Sequence, residues 1–340
     1  MSLKPIFEKK NILITGGAGF IGSHLCDELI KTSKIICLDN FISGREQNID
    51  HLLQNPDFEF IRHDITEPID LESLPELEKF RVQFQGIQEI YHLACPTSPK
   101  NFEGKIIETA LANSAGVKNT LDLATKYKAK FLLTSSSVVY GPRDPKNEFF
   151  KESDLGLVDQ LGPRACYDEG KRFAETLVST YAHAYKIDTK IARIFRTYGS
   201  RMMIEEGHML PDFVFNAIDD KDLVIYGDQD FISSFCHVSD VVHGLIKMMN
   251  SGESGPINFG SDIDHKIVEV AEKIIKMTDS KSKVAFDKPM LFMTYLGLPD
   301  ISVAKERLDW FPVTLLEDGL QETIDYFKAH KTFLSPGGKV

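Results

Sequence analysis

The sequence predicts an α/β protein built on a doubly wound parallel sheet, followed by a smaller C-terminal lobe. Two observations carry this. In the first half of the chain, short apolar runs alternate with stretches of helical periodicity. After Tyr198 the rhythm changes to short helices parted by proline, glycine and charge. Strand–helix alternation produces a parallel sheet with right-handed crossovers, because each strand must be carried back over the sheet before the next can pair.

The elements follow in order. Ile12 to Ile14 reads as a buried strand, and Ile21, Leu25 and Leu29 then recur at helical spacing. Further strands are expected at Ile35 to Leu38, Phe58 to Ile61, Ile90 to Ala94 and Phe131 to Thr134, with a helical stretch from about Ile106 to Lys126. Leu71 to Gln85 is charge-rich without a strand pattern and reads as a surface helix or loop. In the second half, Phe213 to Ile218 and Val268 to Lys276 read as helices. Phe235 to Val238 and Ile257 to Phe259 read as returning sheet elements. The expected division is a dinucleotide-binding part over 1–195 that takes in about 235–260, a lobe from 196–234 and 261–330, and a loose tail over 331–340.

Composition narrows the function. The 340 residues carry a formal charge of −11, which disfavours nucleic acid as a partner, since phosphate backbones attract basic surfaces. No run of about 18 apolar residues occurs, so no membrane span is expected. The five scattered cysteines lack any CxxC or Cys/His spacing, which reads as reduced thiols and no metal site. With no apolar core of signal-peptide length near the N-terminus, the expected compartment is the cytoplasm.

The first strand runs into Thr15-Gly16-Gly17-Ala18-Gly19-Phe20-Ile21-Gly22 and then a helix. Gly16, Gly19 and Gly22 allow a tight turn, close approach of backbone to a pyrophosphate, and packing of helix on sheet. The helix start offers N–H groups and partial positive charge to the phosphates. Asp39, closing the second strand, is placed to accept hydrogen bonds from ribose hydroxyls and to repel a 2′-phosphate. NAD is therefore expected over NADP, although Arg45 nearby is a residue that suits that phosphate.

Tyr167 and Lys171 stand four residues apart, on one face of a helix. A lysine cation beside a phenol favours the phenolate, so the pair can take a proton from a substrate hydroxyl while hydride leaves for a nicotinamide. Ser136, at the end of the preceding strand, is the expected holder of that hydroxyl, with Ser135 and Ser137 as alternatives. Cys166 reads as a packing residue, and His92 and His237 as satisfied structural groups.

With these residues the chain resembles the extended short-chain dehydrogenase/reductases, of Rossmann fold, and among them the UDP-glucuronate decarboxylases. The likeness runs from Asn11 to Phe327. It includes GGAGFIGSHL, DNFISGR from Asp39, HDITEP from His63, YHLACPTSP from Tyr91 and LGPRACYDEGKR from Leu161. The resemblance implies NAD contacts from Phe20, Ile21, Asn40, Phe41, Ser43, Gly44, Asp64, Ile65, Leu93 and Ala94, a nucleotide-sugar substrate and a homodimer. It also implies the reaction: oxidation at C4, loss of carbon dioxide from the resulting β-keto acid, and re-reduction by the same cofactor.

Departures from that pattern fall near the chemistry. The decarboxylases carry a glutamate where this chain has Val138, and SSSVVYG resembles the 4-epimerases. Two phosphate-binding arginines of the family map to Ser233 and to the neighbourhood of Gly297. Arg196 stands where the family has asparagine, so Arg196, with Arg201, is expected to supply replacement charge. The alternatives are a sugar 4-epimerase, a dehydrogenase or reductase on a non-nucleotide substrate, and a NAD-sensing scaffold that performs no chemistry.

Overall fold

The computed structural model describes residues 9–98, 101–143, 148–227, 229–289 and 295–334. Its centre is a sheet of seven strands: β1 (Asn11–Thr15), β2 (Lys34–Asp39), β3 (Phe58–Arg62), β4 (Glu89–His92), β5 (Lys130–Ser136), β6 (Thr189–Ile194) and β7 (Pro256–Phe259). They lie in the order β7-β6-β5-β4-β1-β2-β3, and every pairing is parallel. The strand order reverses between β1 and β4. A doubly wound sheet opens a crevice at such a point, outside the carboxyl ends of the strands.

Both faces are covered, as the near-continuous apolar strands require. One layer joins the helices Phe20–Leu29 and Val238–Asn250 with Trp310, and Leu25, Val241, Leu245 and Phe259 lie at its centre. The other joins Val117–Tyr127 and Ala165–Tyr185, with Leu121, Ala124, Ala174 and Val178 turned inward. A third cluster makes the lobe. There Phe213, Phe215, Ile267, Ile274, Leu320 and Phe327 meet from the helices Met209–Ile218, Ile267–Thr278 and Leu316–Leu334. That last helix takes in 331–334, and the rest of the expected tail, 335–340, lies outside the described residues.

Three elements differ from the sequence reading. Strand β6 is missed by the apolar pattern, because Thr189, Lys190 and Arg193 interrupt it. The structure buries them with partners instead: Lys190 Nζ donates to Asp188 and to the Glu253 carbonyl, and Arg193 grips Glu175 with two bonds of 2.9 and 2.7 Å. The helical stretch after Ile106 is interrupted by a π-turn at Ala112–Gly116, in which Gly116 lies against Ile65. Leu71 to Gln85 forms 3₁₀ turns and one short helix, and its Leu71, Leu77, Phe80 and Val82 seal the edge of the core.

Candidate active site

A single cavity of about 420 Å³ runs along the carboxyl ends of the central strands. At one end lies the glycine turn. Gly16 has φ +73°, and a Cβ there would meet the Ala94 nitrogen at 2.7 Å. A Cβ on Gly22 would meet the Gly16 carbonyl oxygen at 2.1 Å. Neither neighbour can yield, since both are backbone, so these positions admit only glycine. Gly19 caps the helix Phe20–Leu29 without a side-chain hydrogen bond, and the first N–H groups of that helix have no partner within it. Gly16, Gly19, Phe20, Ile21 and Gly22 all line the cavity.

Asp39 ends β2 beside this turn. Its carboxylate accepts from the backbone N–H of Ala18 at 3.1 Å and of Phe41 at 2.8 Å, which fixes the acid facing the cavity. Burial raises its pKa, and those same N–H groups oppose the rise. Asn40, Ser43, Asp64, Ile65, Leu93 and Ala94 also line the cavity. Phe41 and Gly44 stand behind that wall: Phe41 stacks on Phe60 at 4.9 Å, and Gly44 lies against the Asp39 carboxylate, 2.9 Å from where its Cβ would be. The uncapped helix start, the side-chain-free turn and the buried acid fit a dinucleotide laid across β1 and β2.

Further along, the cavity meets the start of the helix Ala165–Tyr185. Tyr167 and Lys171 are both buried there, one turn apart. Lys171 Nζ lies 5.8 Å from the centre of the Tyr167 ring and donates to the Thr134 carbonyl at 3.0 Å, which aims the ammonium across β5. Ser136 closes β5 on the cavity wall and acts on the Tyr167 phenol to lower its pKa, whereas Ser135 turns away and donates to Glu175 at 2.6 Å. Of the three serines, Ser136 is the one brought to the phenol.

Burial pushes the Tyr167 phenol above its ordinary value, and Cys95 adds to the rise. The Ser136 hydrogen bond and the Arg164 charge oppose it. This is the reverse of the direction expected from the sequence, because the ring is packed into an apolar cluster with Phe102 and Val138. Phe102 stacks on Tyr167 at 5.1 Å. Val138, where the resemblance places an acid, is 4% exposed in this cluster and donates its N–H to Ser136 Oγ at 3.4 Å.

The remaining wall is cationic. Arg196 follows β6 and lines the cavity, and no hydrogen bond or ion pair from its guanidinium to any described residue exists. Desolvation, then repulsion from Arg164, lowers its pKa to about 10. Arg164 is held by Asp168 at 3.0 Å and lies 5.3 Å over the Phe102 ring. His208 is next to Arg196, and burial and that charge bring its pKa down to about 4. Arg201 lines the same cavity but pairs with Asp27 at 2.7 Å.

Sequence reasoning missed Arg164, His208 and Phe102. Arg164 carried a signal, three residues before Tyr167 and so on the same helical approach, but His208 and Phe102 sit in stretches with no pattern. Among the described residues, no group of three or more His, Cys, Asp or Glu side chains is arranged to hold a metal, and no helix is long and apolar enough to cross a membrane.

Known proteins match this arrangement. The family model for the NAD-dependent epimerase/dehydratase family matches residues 12–260. UDP-glucuronic acid decarboxylase 1 of Arabidopsis thaliana is 41% identical over 322 residues, covering 94% of this chain and 70% of that protein. The Danio rerio protein of the same name is 40% identical over 321 residues, 94% of this chain and 73% of its own length. Among solved structures, the UDP-glucuronic acid 4-epimerase of Bacillus cereus, in complex with UDP-glucuronic acid and NAD, superposes with a TM-score of 0.80. It is 27% identical and covers 94% of this chain and 99% of its own. An epimerase from Methanothermobacter thermautotrophicus gives a TM-score of 0.84 at 26% identity, covering 96% and 95%. Likeness along nearly the whole chain, in sequence and in fold alike, makes this protein a member of the NAD-dependent epimerase/dehydratase family of enzymes.

Proposed function

We propose that the protein decarboxylates UDP-glucuronate, using NAD as a recycled cofactor. The observation that carries this reading is the 41% identity to a UDP-glucuronic acid decarboxylase across 94% of the chain, with Ser136, Tyr167 and Lys171 together in one cavity with the glycine turn. NAD, when bound, supplies the acceptor and later the donor of a hydride. The glycine turn and Asp39 would hold its pyrophosphate and ribose, with Leu93, Ala94, Tyr167 and Lys171 further along the same cavity wall.

The chain's own groups then act on the sugar. Ser136 holds the C4 hydroxyl, and Tyr167 removes its proton as C4 is oxidised. Ser136 and the Arg164 charge oppose the burial that favours the neutral phenol, and the Lys171 ammonium stands 5.8 Å from the ring centre. A C4 ketone is β to the C6 carboxylate, so it accepts the electron pair released when carbon dioxide leaves. The resulting enolate takes a solvent proton at C5 to restore the ketone. Tyr167 returns a proton to the C4 oxygen when the ketone is reduced.

Incubation with NAD and UDP-glucuronate, following carbon dioxide and product mass, tests this. A product lighter by carbon dioxide, formed by the native protein and absent with Tyr167→Phe, is the expected result. Val138 supports a second reading, UDP-glucuronate 4-epimerase, because the buried valine leaves no acid beside Ser136. That reaction would give an isomer of unchanged mass and no carbon dioxide.

Two further features belong to this reading. Ile106, Ile107, Leu111 and Phe173 are exposed apolar side chains on packed helices, and they suit a homodimer joined helix to helix. The five unpaired cysteines suit the reducing cytoplasm.

A further inference from the structure

Among the described residues, the acids that line the cavity are Asp39, Asp64, Glu108 and Glu206. Asp39 and Asp64 belong to the cofactor end, where Ala18 and Phe41 hold the first and Asn40 and Thr66 the second. Glu108 is open to solvent. Glu206 is half-buried, and Ser98 Oγ donates to its Oε2, but no described lysine or arginine pairs with it. His208 nearby is no counter-ion either, because burial and the Arg196 charge keep its ring neutral, with a pKa of about 4. A carboxylate drawn partly out of water without a cation costs free energy unless hydrogen-bond donors reach it.

The backbone is shaped to turn this acid inward. Glu205 and Gly207, on either side of it, both take left-handed φ, +58° and +85°. That conformation is uncommon for a residue with a side chain and persists where the surroundings enforce it. Here Asp212 does so, accepting from the Glu205 N–H at 2.6 Å. Glu205 is left exposed, while Glu206 reaches across to Ser98. Ser98 is buried in the loop that leaves β4, and Leu93 to Ser98 all line the cavity. Cys95, in the same loop, packs in the cluster with Tyr167 and Val138. The three residues from Cys95 to Ser98 span at most about 10 Å, so the Ser98–Glu206 pair stands close to the reacting end.

We propose that Glu206, positioned by Ser98, recognises the sugar ring of the substrate by accepting hydrogen bonds from its C2 and C3 hydroxyls. This rests on the nucleotide-sugar reading above. An ionised carboxylate only accepts, and its two oxygens match the donors of two neighbouring hydroxyls. Ser98 takes up one lone pair of Oε2, and Oε1 accepts from no described residue. The glucuronate carboxylate does not suit this place, since two like charges would face each other in a confined cavity. UDP-glucose presents the same C2 and C3 hydroxyls, so the contact is independent of what stands at C6.

Calorimetric binding of UDP, UDP-glucose and UDP-glucuronate to the NAD-loaded protein tests this, with native protein, Glu206→Ala, Glu206→Gln and Ser98→Ala. Glu206→Ala is expected to lose at least about tenfold in affinity for both sugar nucleotides and to bind UDP as the native protein does. Glu206→Gln keeps one acceptor oxygen and is expected to recover part of the loss. Ser98→Ala is expected to show the same pattern more weakly. Unchanged affinity of Glu206→Ala for the sugar nucleotides overturns the assignment, as does an equal loss for UDP, which would place Glu206 at the nucleotide. A change confined to UDP-glucuronate also overturns it, because the acid would then face C6. Failure of the native protein to bind either sugar nucleotide overturns the proposed function as well.

Discussion

The Lys171 ammonium reaches past the ring of Tyr167, 5.8 Å from its centre, to donate to the Thr134 carbonyl at 3.0 Å. One strand end thus fixes the cation, and the helix beside it fixes the phenol. Substituting Tyr167→Phe removes the hydroxyl but preserves the stack on Phe102. Turnover is expected to fall about 10²- to 10⁴-fold with no loss of thermal stability. A melting curve run beside the rate assay checks both halves, and a Phe variant retaining most of its activity would remove Tyr167 from the chemistry.

Gly22→Ala tests the glycine turn. The added methyl would sit 2.1 Å from the Gly16 carbonyl oxygen, and only the backbone can move to relieve it. A loss of at least about 1–3 kcal/mol of stability is expected, with loss of NAD binding. Urea unfolding and NAD titration measure the two effects, and full retention of both would refute the close approach.

Val138→Glu places a carboxyl in the apolar cluster with Phe102 and Tyr167. Burial raises the folded pKa of such a group above its unfolded value. The folded state then binds more protons than the unfolded one at pH values above the unfolded pKa, and stability falls as pH rises. The variant is expected to be less stable by about 2 kcal/mol or more, and worse at pH 8 than at pH 5. Denaturant midpoints at the two pH values decide it.

His92 works in the opposite sense. Burial, then the Lys171 charge, lowers its pKa to about 3, and its Nδ1 is hydrogen-bonded with Thr15 Oγ1 at 3.0 Å. As pH falls below about 6.5, the unfolded chain takes up a proton that the folded His92 refuses, so stability is lost toward pH 3. His24 and His208, each lowered to about 4, add to the slope. Each contributes about 1.4 kcal/mol per pH unit while it alone is mismatched. Unfolding free energies between pH 4 and 6.5 are expected to fall less steeply in His92→Asn. Identical slopes would mean that His92 titrates normally.

The parallel sheet, the glycine turn and the Tyr167–Lys171 pair were legible because each is local: an apolar run, a spacing, a strand followed by a helix. Strand β6 was not, since its buried polar groups are satisfied by Glu175 and Glu253, partners that no short-range pattern reveals. The π-turn at Ala112–Gly116 was hidden for a similar reason. Its Asn113 side chain reaches Cys95 at 3.2 Å, a contact made only by the fold. Periodicity likewise could not bring His208 to Arg196, because the chain between them follows no regular pattern until Met209.

Strand β7 pairs with β6 through Pro256 and Ile191, so the chain leaves the sheet, builds much of the lobe and returns. Synthesis delivers the lobe's first helix before the last strand. A nascent chain that ends short of Pro256 presents Thr189–Ile194 as an open rung, ready to pair with another molecule. Such long-range closure also makes for slow folding. Chains cut before Pro256 are therefore expected to aggregate where the full chain stays in solution, and sedimentation of the two species side by side would tell.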